Sequence, residues 1–334
     1  MDHNSKERVR YICADRNIIV LKLLPDSITN EDRIDVYDKY HAIHTTDSGY
    51  VIKIYNIDTN ENVDKHIVDG IIFEARMPVF SNGISYYITE KTAYNISLAD
   101  NVKNYTGTQC KWFDNGRLQS TCLYLNGAKN GLSQDWNIHG TKLKEINYLK
   151  GEFHGPYKEY HNNGNLKKQC EYINGALSNT FFEFHENKKL KTKCFFNHGL
   201  IEGGYVEYHP NNQIACECMY KKGQCNGSYF EYYENGNTKV SCFYLDSDKH
   251  GDFTEWYPQG VIKTKCKFQY GKLNGVYNEW FPNGIKKIKC CYINDDIDGI
   301  KYEWFDNGVR KTKSFYIDNK LQWETTKNKN GEML

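Results

Sequence analysis

The stretch Gly275 to Asp298 reads GVYNEWFPNGIKKIKCCYINDDID, and it decides the fold because the chain keeps restating it. Counting outward, units of 24 residues begin at Gly107, Gly131, Gly155, Asn179, Gly203, Gly227, Gly251, Gly275 and Gly299, with no insertion or deletion. Let the first residue of a unit be position 0. Position 5 is then aromatic in every unit: Trp112, Trp136, Tyr160, Phe184, Tyr208, Tyr232, Trp256, Trp280 and Trp304. Position 17 is aromatic throughout as well. Position 4 is mostly Glu, position 9 mostly Gly and position 12 mostly Lys. Position 15 is Cys at Cys122, Cys170, Cys194, Cys218, Cys242, Cys266 and Cys290. A fixed period of this kind marks a repeat architecture in which each unit stacks on its neighbours.

Each unit reads as a β-hairpin. Asn115-Gly116, Asn235-Gly236, Asn283-Gly284 and Asn307-Gly308 separate stretches rich in aromatic and β-branched residues. Asn-Gly is the strongest short hairpin signal, because a two-residue I′ turn needs positive φ at both residues. A second turn is expected near position 20, mostly Gly. Two-residue turns at positions 8–9 and 20–21 would pair residues whose positions sum to 17 within a unit and 41 across units. The unit glycine then faces the position-17 ring, the cysteine faces the position-2 ring, and the position-5 ring faces the position-12 lysine. Strand alternation sets positions 2, 15 and 17 on one face, the core side, and positions 5, 12 and 14 on the other. The expected fold is all-β: an elongated single-layer antiparallel β-hairpin array over residues 107–322, followed by a polar tail at 323–334.

The unit G-x-Y-x-E-W-F-x-N-G-x-x-K-x-x-C-x-Y resembles the MORN repeat in its variant form with an Asn-Gly turn. The Cys column stands where family members carry various small residues. The resemblance implies a ladder of β-hairpins used for protein interaction, dimerisation, scaffolding and, in some members, attachment to membranes, and it implies no enzymatic activity. The richness in Asn, Lys, Tyr and Ile is similar to that of MORN-variant proteins of giant DNA viruses of amoebae.

The chain has 334 residues, with 43 Lys+Arg against 42 Asp+Glu and a net charge of +1. A balance this close to zero removes the general attraction to nucleic acid, so no nucleic-acid partner is expected. Mean hydropathy is low, at −0.75, but aromatics make up 15% of the chain, which argues against disorder. No apolar run reaches the roughly 18 residues of a membrane-spanning helix. The polar start and the unpaired cysteines predict a reducing, cytoplasmic setting, the host cytoplasm for a viral protein. Residues 1–106 lack the period and hold an acidic excess. They are expected to form a mixed, mainly β cap, with a strand or short helix at 17–24, strands at 49–57 and 67–73 and a helical stretch at 30–39. Residues 78–88, around Asn82-Gly83, are expected to form a degenerate capping hairpin.

Equivalent positions in successive units should lie two strands apart, about 9–10 Å. The Cys column can then form neither disulfides, which need Cα atoms within about 7 Å, nor shared zinc sites. The same spacing makes His161, His185 and His209 ring substitutes rather than ligands. It leaves the Glu column too regular for an acid–base pair. Cys216, Cys218 and Cys225 form the one denser thiol cluster. No metal, cofactor or catalytic residue is expected. The only reactive grouping near the start is Cys13, His41, His44 and Asp47. What remains is an aromatic-basic surface of Trp112, Trp136, Trp256, Trp280 and Trp304 with Lys239, Lys263, Lys287 and Lys311. The expected role is a non-enzymatic interaction scaffold. Its partner is an unidentified protein, with a homodimer as a means of covering the rings. The first alternative is attachment to an anionic membrane surface through the Trp/Lys face. The second is an enzymatic N-terminal domain with the repeats as a targeting module.

Overall fold

The computed structural model describes residues 8–98 and 102–334. The chain divides into two compact units after Asn165, inside the repeats rather than at their start.

The first unit opens with a four-stranded antiparallel sheet. Its strands are β1 (Val9–Ala14), β2 (Asn17–Lys22), β3 (His44–Asn56) and, beyond a separate hairpin, β6 (Pro78–Tyr86), in the order β1-β2-β3-β6. The hairpin is β4 (Lys65–Val68) and β5 (Ile71–Glu74). β2 reads NIIVLK and is buried on both faces. Ile19 and Leu21 pack with Val51, Ile54, Ile84 and Phe73 of the hairpin. Ile18 and Val20 pack with Tyr87 and Ala93 of helix α1 (Glu90–Ser97). Thr89 caps that helix, its side chain accepting from the Thr92 N–H.

Three expectations for this region change. Residues 30–39 form turns, not a helix. Their Asn and Asp side chains bind backbone instead: Asn30 Oδ1 accepts from the Thr45 N–H at 2.7 Å, and Asp38 Oδ1 from the Tyr40 N–H at 2.9 Å. The expected strand at 67–73 turns back at Asp69-Gly70, where φ is 49° and 79°. Asn82-Gly83 makes no hairpin; β6 runs through it against β3, with a register shift between Thr46 and Ser48.

The repeats keep the expected register along most of each strand. Gly251 faces Phe268, Phe253 faces Cys266 and Glu255 faces Thr264, each pair summing to 17. Near the turns the register differs. Trp256 faces Ile262, not Lys263, because a β-bulge follows Glu255. The Tyr257 N–H donates to Val261 O and the Gly260 N–H to Tyr257 O, both at 2.8 Å. Of these turn residues only Gly260 has positive φ, 86°. This is a type I turn closed by a left-handed glycine, a three-residue loop with a bulge. The I′ turn falls elsewhere, at positions 19–20: Tyr270 and Gly271 have φ of 47° and 79°. It comes one residue early, so Phe268 faces Leu273 across units rather than a glycine.

The inner face holds the core of the repeats. The seven column cysteines are 3–7% exposed. On this face position-2 and position-17 rings meet edge to face: Phe181–Phe196, Tyr205–Tyr220, Tyr229–Tyr244, Phe253–Phe268 and Tyr277–Tyr292, at centroid distances of 5.3–5.7 Å. Such pairs add about 0.5–1.5 kcal/mol each beyond area burial. The expected polar tail is ordered as well. Lys320–Thr326 is a strand against Arg310–Ile317, Trp323 faces Phe315, and Ser314 Oγ donates to Glu324 at 2.6 Å.

Candidate partner-binding face

The bulge decides which side chains share a surface. Positions 12 and 13 stand together opposite one residue, and the position-12 lysines pair with the position-4 glutamates. Lys239 lies 3.1 Å from Glu231, Lys263 2.8 Å from Glu255, and Lys287 2.6 Å from Glu279. Lys287 and Lys311 lie over Phe281 and Phe305, the position-6 rings, at 5.9 Å. Of the expected aromatic-basic surface, Lys287, Lys311 and Trp304 line one pocket of about 410 Å³ with Phe281, Phe305 and Lys329. The Glu column is engaged within the sheet: it also accepts from Tyr157 at 3.2 Å, from Tyr229 at 2.5 Å and from Tyr205.

The tryptophans stay on the outer side, half-buried. Position 11 supplies further basic neighbours. Lys286, at position 11, lies 5.6 Å from the Trp280 ring. Arg310, also at position 11, faces Trp304 in the register. Position 14 of one unit meets position 5 of the next: Tyr160 Oη donates to Glu145 at 2.9 Å and Tyr232 Oη to Glu217 at 2.6 Å. In the later units position 14 is Lys265 and Lys289, where Glu145 and Glu217 stand earlier, and position 5 of the next unit is Trp280 and Trp304. Trp112 differs, since the His41 ring stacks on it at 4.5 Å. Trp136 lines a pocket of about 810 Å³ with Phe113, Ile138 and Leu143.

Sequence reasoning missed a second outer feature. Phe195, Met219 and Phe243, all at position 16, are 43%, 48% and 42% exposed. Beside them stand the position-3 residues Phe182, Val206 and Phe230. The position-1 residues between them are small (Thr180, Gly204, Ser228), which opens a groove of about 380 Å³ along Val206, Met219 and Phe230. Comparing the outer columns unit by unit shows it, because only here do three consecutive units carry apolar residues at both positions 3 and 16.

The turn edge has its own order. Asn235 Oδ1 accepts from the Asn237 N–H at 3.0 Å, and its amide donates to Pro258 O of the next unit at 3.0 Å. Asn187, Asn211, Asn283 and Asn307 repeat both bonds. At position 6, His185 and His209 donate to Tyr208 O and Tyr232 O at 2.9 Å. Tyr233 and Tyr257 do the same to Trp256 O and Trp280 O at 2.7 Å and 3.0 Å. The histidines thus fill the place of tyrosines.

The N-terminal grouping is spent on structure. Burial pushes the Cys13 thiol up to about 12. His41 pairs with Asp38 at 2.7 Å beneath its stack on Trp112. His44 is fully buried and bonds Lys39 O at 2.8 Å. Asp47 accepts from the Ile28 N–H at 3.0 Å and from Ser48 Oγ at 2.9 Å. Among the described residues no group of three or more His, Cys, Asp or Glu is arranged to hold a metal ion. Nor is any helix there long and apolar enough to cross a membrane.

The family described as MORN repeat variant matches residues 153–174, 201–222, 226–246, 249–270 and 273–294. No curated protein matches the chain. Among solved structures, a crystal structure of TcdB2-TccC3-Cdc42 aligns with 94% of this chain and 19% of that one, at 10% identity and a TM-score of 0.18. A crystal structure of TcdB2-TccC3-TEV aligns with 97% of this chain and 20% of that one, at 10% identity and a TM-score of 0.17. The chain thus spans about a fifth of their length, and scores this low establish no common fold. The five family matches fall on the observed hairpins, and these segments are similar to MORN repeats of the variant type.

Proposed function

We propose that the protein is a non-enzymatic interaction scaffold that binds a protein partner on the outer face of its repeats. One observation carries this reading: the apolar run Phe195, Met219 and Phe243 is left in solvent although every one of these strands has an inner face for apolar residues. Contiguous exposed apolar surface rimmed by polar residues marks an interaction site. Trp256, Trp280 and Trp304, with Lys286 beside Trp280 and with Lys287 and Lys311 in one pocket with Trp304, extend that surface toward the end of the chain. Attachment to an anionic membrane draws less support, since Glu231, Glu255 and Glu279 neutralise Lys239, Lys263 and Lys287. The repeat type and the residue usage support a cytoplasmic setting, the host cytoplasm for a protein like those of giant DNA viruses.

The test is affinity purification of the tagged chain with quantitative mass spectrometry, run beside two variants. One replaces Trp256, Trp280 and Trp304 by Ala; the other replaces Phe195, Met219 and Phe243 by Ser. Loss of the same co-purifying protein from either variant, with circular dichroism unchanged, supports the scaffold. Retention of every partner by both folded variants overturns the outer-face assignment. Salt-sensitive sedimentation with anionic vesicles would favour the membrane reading instead.

A further inference from the structure

We infer that the open edge between β1 and β6 takes an extended, apolar segment of a partner protein as an added strand. The sheet order β1-β2-β3-β6 leaves β1 and β6 as its two edges. They meet at a single rung, where the Tyr11 N–H donates to Tyr87 O at 2.9 Å and the Tyr87 N–H to Tyr11 O at 2.7 Å. Backbone groups alternate in direction along a strand, so Cys13 and Ser85 stand at the next rung. Among the described residues no backbone bond joins them. The edges part there around a cleft of about 410 Å³ that both residues line. Neither has a ladder bond on its other side. Thr45, opposite Ser85, turns its backbone to Asn30: its N–H donates to Asn30 Oδ1 at 2.7 Å, and its C=O accepts from the Asn30 N–H at 3.3 Å. Ile18, opposite Cys13, turns its backbone to β3, in step with Arg16 O, which accepts from the Ile57 N–H at 2.9 Å. The N–H and C=O of Cys13 and Ser85 therefore face the cleft unpaired. Open backbone groups on a sheet edge are the template for strand addition.

The walls of the cleft define what the strand carries. On one side stand Ile12, Phe73 and Ile84, from the core that the β4–β5 hairpin covers. On the other stand Cys13, Ile43 and Tyr87, from the core under α1. A strand with one solvated face alternates apolar and polar residues, whereas a strand between two cores is apolar at successive positions. The chain holds its own example in β2, where Ile18 to Leu21 are buried on both faces. The occupant is therefore a short run of consecutive aliphatic or aromatic residues. Asp69 is the charged residue of the lining, so a basic residue beside that run fits and the carboxylate of a fatty acid does not. Gly83 keeps the mouth open, since a Cβ there would meet nothing within 4 Å. The cleft lies within the first unit and is a different site from the outer face of the repeats.

The test pans a phage-displayed library of random peptides on the full-length chain and measures the enriched peptides, once synthesised, by fluorescence polarisation. The expected peptides share a run of consecutive Val, Ile, Leu or Phe beside a Lys or Arg. Their addition slows hydrogen exchange at the Cys13 and Ser85 amides. Ser85→Pro removes an N–H that makes no ladder bond, and it weakens binding by about tenfold or more. Ser85→Ala keeps the backbone group and leaves affinity within about twofold. N-methylation of the amides in the apolar run abolishes binding to the unaltered chain, a readout that stands should Ser85→Pro fail to fold. Absence of any enriched peptide, or equal binding of the methylated peptides or of the Ser85→Pro chain, overturns the proposal. So do peptides released only by the serine variant of Phe195, Met219 and Phe243, a result that leaves the outer-face reading in place.

Discussion

At the scale of single residues, one motif letter carries unequal loads. Gly116 and Gly284 hold the same position and nearly the same φ, 82° and 83°. A Cβ on Gly116 would lie 1.9 Å from Asp38 O, whereas one on Gly284 meets nothing within 4 Å. The loop ahead of β3 closes on the first turn: Tyr37 and Asp38 N–H groups donate to Asn115 O, and Arg33 donates to Asp114 O. Gly284→Ala should cost only the left-handed penalty of about 1–2 kcal/mol. Gly116→Ala should cost at least about 2 kcal/mol more, because backbone must move. Urea midpoints of the two variants check the ordering, and equal midpoints would remove the docked loop from the account. Glu145 allows a pH prediction. Lys142, Tyr160 and Gln134 bind it at 2.7, 2.9 and 3.0 Å and hold its carboxyl below its ordinary 4.5. Its contribution is therefore complete above the ordinary carboxylate range and is lost as pH falls through the depressed value. Glu145→Gln should lower stability near neutrality by about 0.5–1.5 kcal/mol and shrink the acid loss. Melting temperature followed from neutral to acid pH measures both.

At the scale of the hairpin, the strands were legible and the turns were not. Period and alternation assign faces, and a one-residue slip would expose the Cys column, so the register at Phe253 and Cys266 follows from pattern alone. Asn-Gly does not discriminate in the same way. It suits an I′ turn, and it also suits a type I turn whose next residue is a left-handed glycine. The structure uses the second, and the bulge that comes with it sets Lys239, Lys263 and Lys287 against Glu231, Glu255 and Glu279. The asparagine edge was hidden for a related reason, since a bond from Asn235 to Pro258 needs the next turn in place first. That edge is testable. Asn235→Asp keeps the acceptor for the Asn237 N–H and loses the donor to Pro258 O, while Asn235→Ala loses both. The alanine variant should be destabilised by about 1–2 kcal/mol and the aspartate variant by less. Denaturant unfolding of both variants ranks them, and an aspartate variant weaker than alanine would show that repulsion between its carboxylate and Pro258 O outweighs the retained turn bond.

At the scale of the molecule, two kinds of core stand in one chain. The N-terminal sheet has a conventional one, with Ile18, Ile19, Leu21, Val51 and Ile54 wholly buried. Its topology was not legible, because β2 pairs with β3 and β3 with β6 across intervening turns and a hairpin that leave no periodic trace. The repeats bury a narrow inner strip of cysteines and ring edges, renewed in each unit and contacting only neighbours. Such arrays open locally rather than all at once. Leu21→Ala should therefore cost about 2–5 kcal/mol in the sheet, as core truncations do. Its effect should stay there. Native-state hydrogen exchange should speed up in β1, β2, β3 and β6, while amides of Gly251–Trp256 and Ile262–Gln269 keep their rates. Equal acceleration in both places would mean that the chain unfolds as one cooperative body and that the division after Asn165 has no energetic counterpart.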